Sequence, residues 1–226
     1  MKVELTRITK DPILAIEEAA SNCYNSEPSA DGKIMNLCIR SGHQSVTEFC
    51  TFTFHIEGVS RALTHQLVRH RHAGYAQRSQ RYCSEDGFKF VIPKSIKNNA
   101  EAIGTYMFFM ENCEKTYKLF QKLGIPNEDA RMILPNACET VIEVTMNLRE
   151  IMHFMNERLC ACSQWEIRQL AQAMREEIIK VEPKFAPYLV PKCEAGKIQY
   201  CSESPSRSCG KQPLAKDILS LMCKEN

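Results

Sequence analysis

The sequence predicts an α+β fold in one domain. Runs of alternating polar and apolar residues read as strands, amphipathic segments of helical period lie between and after them, and no internal repeat or linker divides the chain. KVELTRI, residues 2–8, alternates and is the first strand. Asp11-Pro12 then offers a cap and a proline for the first turn of a helix, ILAIEEAASNCY. A short helix over 33–40 stops at Gly42. FCTFTFHIEG, 49–58, is a half-buried strand with Phe52, Phe54 and Ile56 on one face, and a helix is expected over 59–70. FKFVIP, 88–93, reads as a short strand closed by proline, and 95–123 as one long helix stopped by Gly124. NEDARMIL opens at an Asn cap and ends at Pro135. CETVIEVTMN, 138–147, is β-branched and strand-like. LREIMHFMNERL and SQWEIRQLAQAMREEIIKV are two further helices, closed by Pro183 and Pro187. From 184 onward the chain turns rich in Pro, Ser, Gly and Cys, so the domain is assigned to 1–190 and a surface-packed tail to 191–226.

Bulk composition narrows the function. At 226 residues the chain can bury a sizeable core, and 44% hydrophobic with 25% charged residues is ordinary for a globular protein. Lys+Arg 29 against Asp+Glu 27 excludes a generally basic nucleic-acid binder and leaves room only for a local patch. No apolar run approaches the roughly 18 residues of a membrane span. MKVELTRITK has no signal-peptide apolar region, so a cytoplasmic protein with reduced thiols is expected despite 12 cysteines.

One stretch breaks the even distribution of charge. RHRHAGYAQRSQRY, 69–82, gathers Arg69, His70, Arg71, His72, Arg78 and Arg81. It suits a nucleic-acid patch, a solvated loop, or a pocket for a small anion. On a helical wheel over 59–70, Val59, Ala62, Leu63 and Leu67 make the apolar stripe, with Arg61, Thr64 and His65 opposite. Gln66, Arg69 and His70 fall within or beside the apolar arc, where an unpaired cation is costly. Capping of the helix dipole accounts for the cations but not for Gln66. In 148–159, Arg158 likewise falls between Ile151 and Phe154, while Arg149, His153 and Asn156 form a second polar stripe that suits either solvent or a ligand. Two helices turning arginines inward point to a shared anionic site, since the guanidinium fork fits phosphates and planar carbonyl edges. Ser79-Gln80-Arg81 adds a hydroxyl, a run of N–H groups and a guanidinium, a cradle for a phosphate monoester.

RHR followed by seven residues and Ser-Gln-Arg-Tyr resembles the signature of flavin-dependent thymidylate synthases. SGHQSVTEFCTFTFHIEGVSRALTHQLVRHR (41–71), DARMILPNACET (129–140) and NLREIMHFMNERLCACSQWEIRQLA (147–171) are similar to that family as well, in the expected order. The resemblance implies helices packed on a twisted antiparallel sheet. It implies transfer of a methylene group from 5,10-methylenetetrahydrofolate to carbon 5 of dUMP, FAD as hydride donor and NADPH as its reductant. It also implies a homotetramer with active sites where subunits meet. Carried over by position, Thr51, Arg69, His70, Arg71, His72, Gln77, Asn147, Arg149 and His153 would approach FAD. Gln66, Arg69, Gln77, Arg78, Ser79, Gln80, Arg81, Arg131 and Arg158 would approach dUMP, with Ser79 and Arg81 on its phosphate and Arg158 on the uracil ring as the catalytic group. The chain departs from the pattern at Phe49, Gln77, Cys162 and His153, where members often carry His, Glu, His and Asn.

No metal is expected. His65, His70 and His72, and Cys160 with Cys162, are incomplete ligand sets. Cys193, Cys201 and Cys209 recur every eight residues, but three thiols without a fourth ligand read as a packed, reduced tail. Nor is a cysteine nucleophile expected: Cys83 should turn away from Arg81, and Cys160 and Cys162 follow a helix C-terminus, where the dipole disfavours a thiolate.

Overall fold

Strand β2 (Thr51–Ser60) shows how the architecture is built. Phe52, Phe54 and Ile56 are fully buried, while the residues between them face the other side. In β4 (Glu139–Asn147), Thr140, Ile142, Val144 and Met146 repeat the pattern. With β1 (Lys2–Ile8) and β3 (Ala73–Gln77) these strands form one sheet in the order β1-β2-β4-β3. The register is antiparallel throughout: Thr53 meets Thr145 hydroxyl to hydroxyl at 2.9 Å, His55 bonds Glu143, and Arg78 N donates to Val141 O at 3.0 Å. The computed structural model describes residues 1–222. It has the expected α+β class, with helices packed on the four-stranded antiparallel sheet.

Nine helices accompany the sheet among the described residues: α1 (Pro12–Tyr24), α2 (Lys33–Arg40), α3 (Arg61–Leu67), α4 (Lys94–Lys97), α5 (Ala100–Lys122), α6 (Asn127–Ala130), α7 (Leu148–Arg158), α8 (Trp165–Val181) and α9 (Ala215–Met222). Several boundaries differ from the sequence reading. Val59 and Ser60 belong to β2, and α3 starts at Arg61 because the Ser60 hydroxyl accepts from Leu63 N at 3.0 Å. That helix ends at Leu67, well short of 70, and β3 follows where no strand was foreseen; its Gly74 and Ala76 leave no apolar alternation to read. Residues 88–93 form only a bridge between Phe90 and Cys138. The long helix divides at Asn99, whose extended backbone caps α5 and whose side chain accepts from Glu101 N and Ala102 N at 3.1 and 3.0 Å. Asp11 makes no capping bond, and its φ of 47° is left-handed. Cys83 lies in a turn closed by its N–H on Ser79 O at 3.0 Å, not on a strand.

Packing divides the chain into two compact units. The first comprises 1–2, 55–69 and 75–143, and its helix α5 packs Met110 and Cys113 with Phe88 and Cys138. The second comprises 3–54, 70–74 and 144–226. Its core holds Phe52 edge-on to Phe185, 5.9 Å between ring centres, with the inner faces of α7 and α8. Leu148 N donates to Cys50 O at 2.7 Å, which fixes the start of α7. The tail expected over 191–226 is described as far as Met222. No helix among the described residues is long and apolar enough to cross a membrane.

Candidate functional site

In the first unit, a cavity of about 280 Å³ is lined by Arg61, Thr64, His65, Gln77, Gln80 and Asn136, among others. Arg61 donates from a terminal nitrogen to Gln80 Oε1 at 3.0 Å, and the Gln77 amide donates to Thr64 Oγ1 at 3.0 Å. Burial pulls the Arg61 guanidinium below the ordinary arginine range; Glu85 opposes this and Arg131 adds to it. Arg61 was expected on the outward face of its helix. Once Val59 and Ser60 belong to β2, the wheel loses its first two residues and Arg61 becomes the opening residue of α3.

A second cluster in this unit centres on Glu128. Arg81 reaches its Oε2 from Nε at 2.9 Å and from a terminal nitrogen at 2.7 Å, while Arg131 Nε donates to the Glu128 carbonyl at 3.1 Å. Ser79 Oγ accepts from Arg81 N at 3.3 Å. One guanidinium on the Glu128 carboxylate and a second on its main-chain carbonyl gather donors in this corner that suit an anion with several acceptor oxygens. Arg78 points elsewhere, to Ser84 O at 3.3 Å and toward Glu85 at 3.6 Å. Segment 69–82 is therefore no uniform basic track, since two of its arginines face carboxylates. Gln66 is half-buried, whereas Arg69 lies beyond the end of α3 and is exposed, not inward as the wheel had it.

In the second unit, Arg158 is half-buried and does turn inward. Its Nε donates to His70 Nε2 at 3.0 Å. A guanidinium can only donate, so Nε2 accepts and the neutral ring carries its proton on Nδ1, 3.4 Å from the buried Glu150 carboxylate. Burial, then the Arg158 and His153 charges, pushes His70 down to about 4 despite that carboxylate. The ring is wedged edge-on against Phe154 at 4.9 Å. A cavity of about 590 Å³ opens beside this array, lined by His72, Asn147, Arg149, His153 and Asn156, with Glu48 and Glu150 also on its wall. Asn147 caps α7 by accepting from Glu150 N at 2.9 Å, so the cavity meets the positive end of that helix. Arg149 crosses its mouth to Glu48 at 2.5 Å. Thr51 sits at the exposed start of β2, tied to Thr9, and does not line the cavity; Arg71 is exposed.

Glu48, Glu85, Glu128 and Glu150 were not singled out from the sequence. Only Glu150 left a signal, since Asn147 with Glu150 three residues on is a helix-start pattern. Phe49, the departure from the family pattern, is exposed on the 3₁₀ turn Gln44–Phe49. Cys50 and Cys138 are fully buried, and burial above all pushes their thiols up to about 12, which suits packing and not nucleophilic attack.

Comparisons with known proteins agree on one family. A family model described as thymidylate synthase complementing protein (Thy1) matches residues 4–184. A flavin-dependent thymidylate synthase of Clostridium tetani is 39% identical, the match covering 96% of each chain. One from Geobacter sulfurreducens is 42% identical over 98% of this chain and 99% of its own. The fold is also similar to the crystal structure of thymidylate synthase X from Helicobacter pylori, solved with FAD and dUMP. There the TM-score is 0.66 at 24% identity, over 78% of this chain and 93% of that one.

Proposed function

We propose that this chain, which belongs to the thymidylate synthase complementing protein (Thy1) family of flavin-dependent thymidylate synthases, converts dUMP to dTMP by reductive methylation with 5,10-methylenetetrahydrofolate and NADPH. The observation that carries this reading is the inward Arg158, held by a buried, neutral histidine. Its Nε is engaged by His70, and its terminal N–H groups remain as donors for a planar carbonyl edge. Directed at the uracil ring, that cation stabilises negative charge as carbon 5 becomes nucleophilic. Because His70 titrates near 4, it stays an acceptor for Arg158 at neutral pH and adds no competing charge.

The residues fit the ligands this reading needs. Arg81, Arg131 and Ser79 suit the dUMP phosphate, for which the Glu128 carboxylate is a placeholder. Gln66, Gln77 and Gln80 supply amides for the nucleoside, with Arg78 held away by Glu85. The α7 N-terminus, Arg149, His153 and His72 suit the pyrophosphate of FAD; Asn147, His70, Arg69 and, less directly, Thr51 and Arg71 complete that set. The chemistry that FAD brings when bound is hydride delivery to the one-carbon unit. A homotetramer in the cytoplasm, with active sites where subunits meet, is part of the same reading.

The test is direct. Purified protein given dUMP, methylenetetrahydrofolate, FAD and NADPH should show flavin absorption that bleaches on reduction, and should form dTMP. Absence of dTMP from flavin-loaded protein overturns the proposal. Arg69→Ala and Arg149→Ala should each weaken FAD binding by about 10- to 100-fold, the range for a charge-assisted hydrogen bond. Unchanged affinity in both would remove these residues from the flavin site.

A further inference from the structure

Three segments that are distant in sequence bring their thiols to one cavity in the second unit. After α7 the chain makes a turn, Ser163 N to Cys160 O at 3.0 Å, that presents Cys160 and Cys162. The returning tail hooks onto α7 through Asn156, which accepts from Lys192 N at 3.0 Å and donates to Val190 O at 2.8 Å; Cys193 follows. The bridge between Cys201 and Leu214 then anchors the loop that carries Glu203. The Sγ atoms of Cys160 and Cys162 and a carboxylate oxygen of Glu203 all lie within 4.8 Å of one another. Cys193, Cys201 and Cys209 line the same cavity, of about 330 Å³. Each of these cysteines is a free thiol.

Between Leu189 and Leu214 the chain has turns and bends but no helix or strand. A run of that length without regular structure is uncommon in a compact fold, and small irregular segments are commonly held by a disulfide or a metal. The surroundings favour a charged cluster. Lys192 bonds Glu203 at 2.8 Å, Arg207 approaches it at 3.8 Å, and Arg168 and Lys211 complete a ring of cations on the wall. Three thiolates and a carboxylate around a divalent ion carry net charge −2, which such a ring offsets. Soft sulfur ligands exclude calcium and magnesium and favour tetrahedral zinc. With Zn–S near 2.3 Å, neighbouring sulfurs in a tetrahedron sit roughly 3.8 Å apart, so Cys160, Cys162 and Glu203 need close by only about 1 Å, while Cys193, on the wall of the same cavity, has to swing in to join them.

We propose that this cavity is a structural zinc site, with Cys160, Cys162 and Cys193 as thiolate ligands and Glu203 as the fourth. The expected absence of metal is thereby revised: the tail's thiols do have a partner set, supplied by the turn after α7. Zinc ties 191–213 to the end of α7, two residues beyond Arg158.

The experiment measures metal in the full chain purified without a histidine tag. About one zinc per chain is expected, falling below about one-fifth in Cys160→Ser and in Cys193→Ser and unchanged in the control Cys23→Ser, whose thiol is exposed elsewhere. Should the thiol variants fail to fold, cobalt loading of the unmodified protein decides: a thiolate-to-cobalt charge-transfer band supports the site. Removal of zinc by a chelator should also speed proteolysis within 191–213. Substoichiometric metal with no cobalt band overturns the proposal. So does iron with acid-labile sulfide in place of zinc, or a Cys160–Cys162 disulfide in freshly purified protein.

Discussion

Arg81 and Arg149 each hold a carboxylate where the proposed chemistry asks for a phosphate. Both pairs are about half exposed, so each is worth at most about 1 kcal/mol, and a dianionic phosphate can displace the carboxylate. Glu128→Gln should therefore lower the Michaelis constant for dUMP, by no more than about five-fold. A rise in that constant would show that Glu128 orients Arg81 and is not a placeholder. Arg81 and Arg158 should also fail differently. Contact with the phosphate is the same in ground and transition states, so Arg81→Ala should raise the Michaelis constant by about 10- to 100-fold with little change in kcat. Arg158→Ala should lower kcat, because its charge matters most as the ring becomes electron-rich. Kinetics of the two variants at saturating folate check this, and matching signatures would mean that one assignment is mistaken. Arginines in this chain were legible as a group, but their partners were not. An arginine's reach spans several turns of chain, and nothing local ties Arg81 to Glu128, 47 residues on.

Among the elements, α7 carries the most of the proposed site, with its cap and Arg149 at one end and Arg158 at the other. It was legible to within a residue, because Leu148, Ile151, Met152 and Met155 recur at helical spacing. The segment 59–77 was not. A strand, a two-turn helix and a second strand follow one another there, each too short for periodicity to decide, and the Ser60 cap sets the boundary. The consequence was large for one residue, since it hid Arg61 from the site. Because the Asn147 side chain starts α7 and stands on the wall of the larger cavity, Asn147→Ala should cost about 1 kcal/mol of stability and weaken FAD binding together. Asn147→Asp keeps the capping acceptor and adds a negative charge beside the flavin phosphates, so it should restore stability but not affinity. Denaturant unfolding and flavin titration of the two variants separate the effects. Recovery of both in the Asp variant would place Asn147 in the helix cap alone.

For the molecule as a whole, the thiol cluster shows what no local pattern holds: residues 160–162, 193 and 203 meet only through tertiary packing. The same holds for the buried array at His70, whose effect reaches global stability. In the unfolded chain His70 titrates near its ordinary 6.5, whereas in the folded protein burial and Arg158 bring it to about 4. Between those values the unfolded state binds a proton that the folded state refuses, so stability falls as pH drops from 6.5 toward 4 and levels off below. A shift of this size corresponds to roughly 3 kcal/mol. Groups packed around the ring bear on the sign: Arg158 and His153 repel the added proton, Phe154 offers it no solvation, and Glu150 attracts it. Glu85 works in the opposite direction, since burial raises its carboxyl and the folded state takes up its proton first as pH falls. Its contribution is the same in a His70 variant and cancels in the comparison. His70→Gln keeps an acceptor for Arg158 but does not titrate. Urea unfolding of both proteins at pH 7.5, 6, 5 and 4.5 should show a steeper loss in the parent, the gap closing by roughly 2–3 kcal/mol over that range. Parallel pH profiles would mean that His70 takes up its proton in the folded state, and Arg158 would then face a cation instead of an acceptor.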